Sequence, residues 1–335
     1  MERITQEKLE LFADNVRKAK KGIRFKNLIA RRTAAYLYAL EGKPVDCDAV
    51  LSSYAAVKGT GMFSRFRGST PLCIAAMLSL RADSKTVLER TVAVHRMMMD
   101  AGFKKYSFLA LAAYFVASGT DPERYQQIVD RMKAFNEATM VRHKYVAIDR
   151  SYLAALLSMS DADMEEGVKS VEMLYERLKS KISGMNKRAY GIALIAIAGG
   201  MSDQMAAERI IALRDAFKAQ KRNVHHKMLG GMPSTLLGAL VLPHIDANIL
   251  AQETFEALTY LKAQKGLRPI LITKQEVLVY AAAIVASRYA DDQGAGMIAA
   301  TTSGALFTTV FVVETQIYYS ALGVALVLAL TFFLL

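Results

Sequence analysis

Residues 109–117 read LALAAYFVA, nine apolar or small side chains in a row with no polar face. A run this short and Ala-rich fits a helix buried on most sides. Comparable segments begin at Leu37 (LYAL), Cys73 (CIAAMLSL), Tyr152 (YLAALLSM), Gly191 (GIALIAIAG), Leu236 (LLGALVLP) and Val279 (VYAAAIVAS). With the segment at 109, the intervals are 36, 36, 43, 39, 45 and 43 residues. Recurrence near 40 residues is the period of a helix-pair repeat.

Between these segments lie turn residues and a second, more polar helical pattern. Val168, Val171, Leu174, Leu178 and Ile182 trace one apolar helix face, and Ala206, Ile210, Leu213 and Phe217 trace another. Thr120-Asp121-Pro122-Glu123 carries helix-start signals, and Gly102 is placed to end the helix before it. The expected fold is all-α: stacked helical hairpins in a solenoid-like or superhelical array. In each pair the first helix is dry and the second has a wet face. Strand is confined to short β-branched runs such as 270–273 and 308–313.

The array is expected over residues 1–292, and 293–335 form a hydrophobic C-terminal segment. There the only charge is Glu314, and residues 318–335 read YYSALGVALVLALTFFLL. Eighteen apolar residues reach the lower limit for a bilayer-spanning helix, and the same run fits a buried terminal helix or an oligomer contact. The first residues, MERITQEKLELF, lack the apolar core of a signal peptide. The repeat region is therefore expected in the cytoplasm, with the C-terminus as its route to a membrane.

Composition supports a folded, cationic chain. Of 335 residues 53% are hydrophobic, and 43 Lys and Arg against 31 Asp and Glu give a net charge of +12. Eight of the positive charges fall between Val16 and Ala39, where no acid occurs: Arg17, Lys18, Lys20, Lys21, Arg24, Lys26, Arg31 and Arg32. Val16, Ala19, Ile23 and Leu28 can face inward while Arg17, Lys20, Lys21 and Arg24 face outward, as on a basic amphipathic helix. This stretch is the candidate contact patch for an anionic partner, or else an ordinary solvated face. Phe25 is its only interleaved aromatic between Arg17 and Arg32, which weakens a single-strand nucleic-acid platform.

Gly61-Met62-Phe63-Ser64-Arg65-Phe66-Arg67-Gly68 precedes one Ala-rich helix, and Ala101-Gly102-Phe103-Lys104-Lys105-Tyr106-Ser107 leads into LALAAYFVA and a DPE helix start. In these segments the chain resembles the bacterial family of unknown function DUF4003. The resemblance implies a cytoplasmic helical protein with no assigned activity and carries over no catalytic residue.

Local chemistry is sparse. Gly59-Thr60-Gly61 opens a GxGxxS string, but no strand-like segment precedes it, so a loop between helices is expected. His225 and His226 are adjacent and would project about 100° apart on a helix. His95 among Met97, Met98 and Met99 reads as a packing histidine, and His143 and His244 have no partner by spacing. Asp161, Asp163, Glu165 and Glu166 do not meet the EF-hand pattern and read as first-turn acids. No GxSxG occurs, and Cys47 and Cys73 have neither metal-ligand spacing nor a local base. The sequence therefore points to a non-enzymatic helical-repeat binding or scaffold protein with a protein partner and no cofactor or metal. The runner-up is a membrane-associated adaptor in which the tail and residues 17–32 both meet an anionic bilayer. A nucleic-acid binder and an enzyme follow, and a homo-oligomer would form through the tail.

Overall fold

The computed structural model describes residues 2–24, 28–62, 70–104, 107–140, 150–160, 163–181, 189–223, 237–238, 240–243, 245–267 and 274–289. Among them the chain is all-α, with no strand. The helices are α1 (Arg3–Gly22), α2 (Leu28–Leu40), α3 (Cys47–Gly59), α4 (Thr70–Ser79), α5 (Ser84–Asp100), α6 (Ser107–Gly119) and α7 (Tyr125–Met140). They continue as α8 (Arg150–Met159), α9 (Met164–Lys181), α10 (Ala189–Ala198), α11 (Asp203–Asn223), α12 (Ala247–Ala263) and α13 (Lys274–Arg288). Residues 237–238 and 240, between α11 and α12, are also helical. The β-branched runs at 270–273 and 308–313, the boundary at 292/293 and the apolar segment 293–335 lie outside the described residues.

Wet and dry helices alternate as the segment spacing predicts. Every described side chain from Leu72 to Leu78 in α4, from Phe108 to Ala117 in α6 and from Glu276 to Ala286 in α13 is buried. In the wet helices only one face is buried: Val171, Leu174 and Leu178 in α9, and Ala206, Ile210, Leu213 and Phe217 in α11. The dry helices are rich in alanine because neighbours crowd them from all sides, and a small side chain lets backbones approach. The phase differs from expectation: the wet helix comes first in each pair, beginning with α1, because α1 and α2 pack as a hairpin.

The dry helices form an inner layer and run parallel. Tyr38 near the end of α2 donates to Ser79 at the end of α4 (2.9 Å), and Arg32 and Glu276 join the beginnings of α2 and α13. The wet helices run the other way outside them. Outer helices also slant: Cys47 at the start of α3 lies against the Lys18 carbonyl of α1, and Asp203 at the start of α11 pairs with Arg177 near the end of α9 (3.0 Å).

The array does not stay open. Inner helix α13 packs on both α1 and α2, and outer helix α12 packs on α1, so the last described pair returns to the first. Phe12, Tyr36 and Tyr280, one from each of α1, α2 and α13, form an aromatic cluster with centroids 4.8 to 6.4 Å apart, within the range of favourable ring packing. Arg288 at the end of α13 pairs with Glu2 (2.8 Å) and Glu253 (3.4 Å). An open solenoid needs polar outer faces on its terminal units. Here those faces are apolar and cover each other, and the result is a closed double ring.

Turns conform to local rules. Gly102 has φ of 93°, and the amides of Gly102 and Phe103 donate to the Met99 and Met98 carbonyls (3.0 and 3.1 Å), the Schellman pattern that ends α5. Asp121 accepts no capping bond; a 3₁₀ turn at Pro122–Arg124 leads into α7 instead. Asn15 pins the first turn: it donates to Ala35 and Lys43 carbonyls (3.3 and 3.0 Å) and accepts from the Val45 amide (2.7 Å).

Ala112 in α6 is fully buried. Ala112→Phe should destabilise the fold by about 1–3 kcal/mol through overpacking. The measurement is the urea midpoint, and an unchanged value would contradict the crowding of the inner layer.

Candidate functional site

The eight basic residues of the N-terminal stretch separate in the structure. Val16, Ala19 and Ile23 are buried, and Lys18, Lys20, Lys21 and Arg24 are exposed, as the amphipathic pattern predicts. Arg17 pairs with Asp14 on the surface, and Arg24 donates to the Lys21 carbonyl (3.0 Å). Lys26 lies outside the described residues. Leu28, expected inward, is 39% exposed. Arg31 is partly buried, and burial together with the neighbouring Arg32 lowers its pKa.

Arg32 is not on the surface. It and Glu276 are each 3% exposed, and its Nη1 donates to both carboxylate oxygens (3.1 and 3.0 Å). The Tyr280 hydroxyl donates to Glu276 Oε1 (3.2 Å). Burial pushes the Glu276 carboxyl above its ordinary range, and Arg32 opposes the shift without cancelling it. Burial likewise drives the Tyr280 phenol well up. Arg32 therefore leaves the contact patch and serves ring closure instead. Successive helical residues point about 100° apart, so adjacent arginines on α2 have different surroundings.

Exposed charge gathers near the helix ends. Outer helices end where inner helices begin, and there Lys20 and Lys21 of α1, Lys58 of α3, Lys104 after α5, Lys181 of α9 and Lys265 after α12 are exposed. Cations suit the ends of the outer helices. The inner helices that start beside them would favour acids, yet α2, α4, α6, α8 and α10 have none in their first turns. Glu276 in α13 is consumed by Arg32.

Acids sit at the starts of outer helices, and the starts of α3 and α11 lie against the ends of α1 and α9. Asp46 accepts from the Asp48 and Ala49 amides (3.1 and 2.9 Å), Asp163 from Glu166 (3.0 Å) and Asp246 from Asn248 and Ile249 (2.8 and 3.3 Å). The two amides hold the Asp246 carboxyl below its ordinary range. Asp163 is thus a helix cap, in line with the first-turn reading, and Asp161 lies outside the described residues.

Other candidates resolve into packing and turns. His95 is buried, and Cys47 and Cys73 are free thiols, with Cys47 pushed up by burial. Thr60 donates to the Val57 carbonyl (2.7 Å) and Gly61 has φ of 73°, so the GxG string forms the end of α3. His143, His225, His226 and His244 lie outside the described residues. Among the described residues no cluster of three or more His, Cys, Asp or Glu is placed to hold a metal, and no helix is long and apolar enough to cross a membrane.

Removing Glu276 as Glu276→Ala leaves the Arg32 charge buried and should cost about 3–5 kcal/mol in urea denaturation; Glu276→Gln keeps an acceptor and should cost less. With its pKa raised in the folded chain, the Glu276 contribution is present below the ordinary carboxylate range and lost as pH rises through the raised value. The stability of the parent relative to Glu276→Gln should therefore fall with rising pH across that window. A gap between their urea midpoints that does not change with pH would contradict this.

No curated protein and no solved structure matches the chain. The model of one family, described as a protein of unknown function, matches residues 15–317 and so covers most of the sequence. The chain, an all-α protein, belongs to the DUF4003 family.

Proposed function

We propose that this protein is a non-enzymatic helical-repeat scaffold that binds an anionic partner through exposed lysines at the ends of its outer helices. The observation that carries this reading is the set of exposed lysines at or just after outer-helix ends, Lys20, Lys21, Lys58, Lys104, Lys181 and Lys265, with no acids in the first turns of five inner helices. The dry inner helices form the frame, and a partner meets its ends. Residues 17–24 are one arc of this surface, and Lys58, Lys104, Lys181 and Lys265 extend it to other repeats.

Lys20→Glu, Lys21→Glu and Lys104→Glu combined should lower the salt needed to elute the protein from heparin while leaving its far-UV circular dichroism unchanged. Binding through exposed charge weakens with salt because screening acts over about 8 Å at physiological ionic strength. Failure of the parent to be retained at low salt, or an unchanged elution point, would overturn the reading.

A further inference from the structure

We infer that the ends of α1 and α12 together bind a compact oligophosphate anion, through Lys20, Lys21 and Arg24 on one side and Lys265 on the other, and that the bound anion braces the seam where the ring closes. This rests on the reading of exposed lysines as an anion contact and adds a place, a ligand class and a consequence of binding.

At the seam α12 lies along α1, and the two run the same way. Glu253, in the first half of α12, and Glu2, just before α1, both meet Arg288. Further along, burial pushes the Tyr260 phenol of α12 up; Glu10 and Asp14 of α1 add to the shift and Arg17 opposes it, so these charges stand close to the ring. Past the end of α12, a Cβ on Gly266 would stand 3.6 Å from Val16 Cγ1, so this turn touches α1. Lys265 is the residue before that glycine, and Lys20 stands one turn beyond Val16 on the same face of α1. Arg24 folds back over the end of α1, where its Nε donates to the Lys21 carbonyl (3.0 Å). Lys20, Lys21, Arg24 and Lys265 are all exposed.

Helix dipoles do not account for the charge gathered here. Two helix C-termini together carry about one unit of negative charge, against the four side-chain cations of this patch. Helix α2 begins nearby at Leu28 with no acid in its first turn, so its dipole adds to the surplus. On α1 the acids Glu10 and Asp14 lie more than a turn back from Lys20, and Asp14 pairs with Arg17. The patch is also bounded. On the α3 flank of α1 the Cys47 thiol lies against the Lys18 carbonyl, between exposed Asp46 and Asp48. A long polyanion running from α1 toward α3 would meet those carboxylates, whereas a compact one on the α12 flank avoids them. Three of the four cations are lysines, which meet phosphate as point charges. They come from helices at opposite ends of the described chain, so closure assembles the site, and a ligand that touches both sides favours the closed ring.

The probe is sodium tripolyphosphate, titrated calorimetrically into the full chain with ionic strength held constant by sodium chloride. Binding is expected. Lys20→Glu and Lys265→Glu should each weaken it by about tenfold or more, since each turns an attraction for a multiply charged ligand into a repulsion. Lys58→Glu with Lys181→Glu, on other outer helices, should leave it unchanged, and every variant should keep the far-UV circular dichroism of the parent. Saturating tripolyphosphate should slow amide hydrogen exchange in α1 and α12 together. Absence of binding at low salt overturns the inference, as do an equal loss in the Lys58 and Lys181 variant, no loss in Lys265→Glu, or protection confined to α1. Single-stranded RNA or phosphatidylserine vesicles bound more tightly than tripolyphosphate, with a dependence on Lys58 and Lys181 as well as Lys20, would make an extended polyanion the partner and overturn the compact ligand. Heparin retention without tripolyphosphate binding removes this site and keeps the wider anion contact; loss of both removes both.

Discussion

A helix that is apolar on every face can stand only among other helices. The segments LALAAYFVA and VYAAAIVAS impose that constraint at nearly every repeat, and each obliges an amphipathic partner to stand between it and water. Two units at the ends of an open stack would violate it. Closure satisfies it for the first and last described pairs through Phe12, Tyr36 and Tyr280, while Arg32 and Glu276 fix how α13 seats on α2. The ion pair is a costly way to join two helices, since both charges lose water. The donation of Arg32 Nη1 to both Glu276 oxygens and the Tyr280 hydroxyl set one register, which apolar side chains alone specify less sharply.

The sequence made the alternation of helices readable because small apolar runs and one-sided patterns are local properties. Gly102 and the faces of α9 and α11 could be placed for the same reason. Closure could not be read, since Arg32 and Glu276 are separated by 244 positions and neither is unusual where it stands. The same limit shaped the candidate surface. A search along the chain finds residues 17–32 because they are contiguous, and then counts Arg32 among them although helical geometry turns it inward. Lys58, Lys104, Lys181 and Lys265 escape that search: they are scattered in sequence, and only the helix bounds show that each stands at or just after the end of an outer helix.

The charges at the helix ends have a structural half and an unexplained half. At outer-helix starts, Asp46, Asp163 and Asp246 accept bonds from backbone amides, so their place follows from capping. At outer-helix ends the helix dipoles account for some lysines, but the inner dipoles that start there have the opposite sign and cancel much of that demand. Fold stability alone gives no reason for the surplus, and for that reason it carries the functional reading.

Closure also changes how the molecule comes apart. In a linear repeat protein the terminal unit has one neighbour, so unravelling starts there and spreads unit by unit. In this ring the first and last described pairs bury one another, and the Glu2–Arg288 contact ties their outer edges. No unit among them is a free end from which fraying can begin. Opening anywhere exposes two apolar faces at once, which couples distant repeats into one cooperative transition even though most of their contacts are between sequence neighbours.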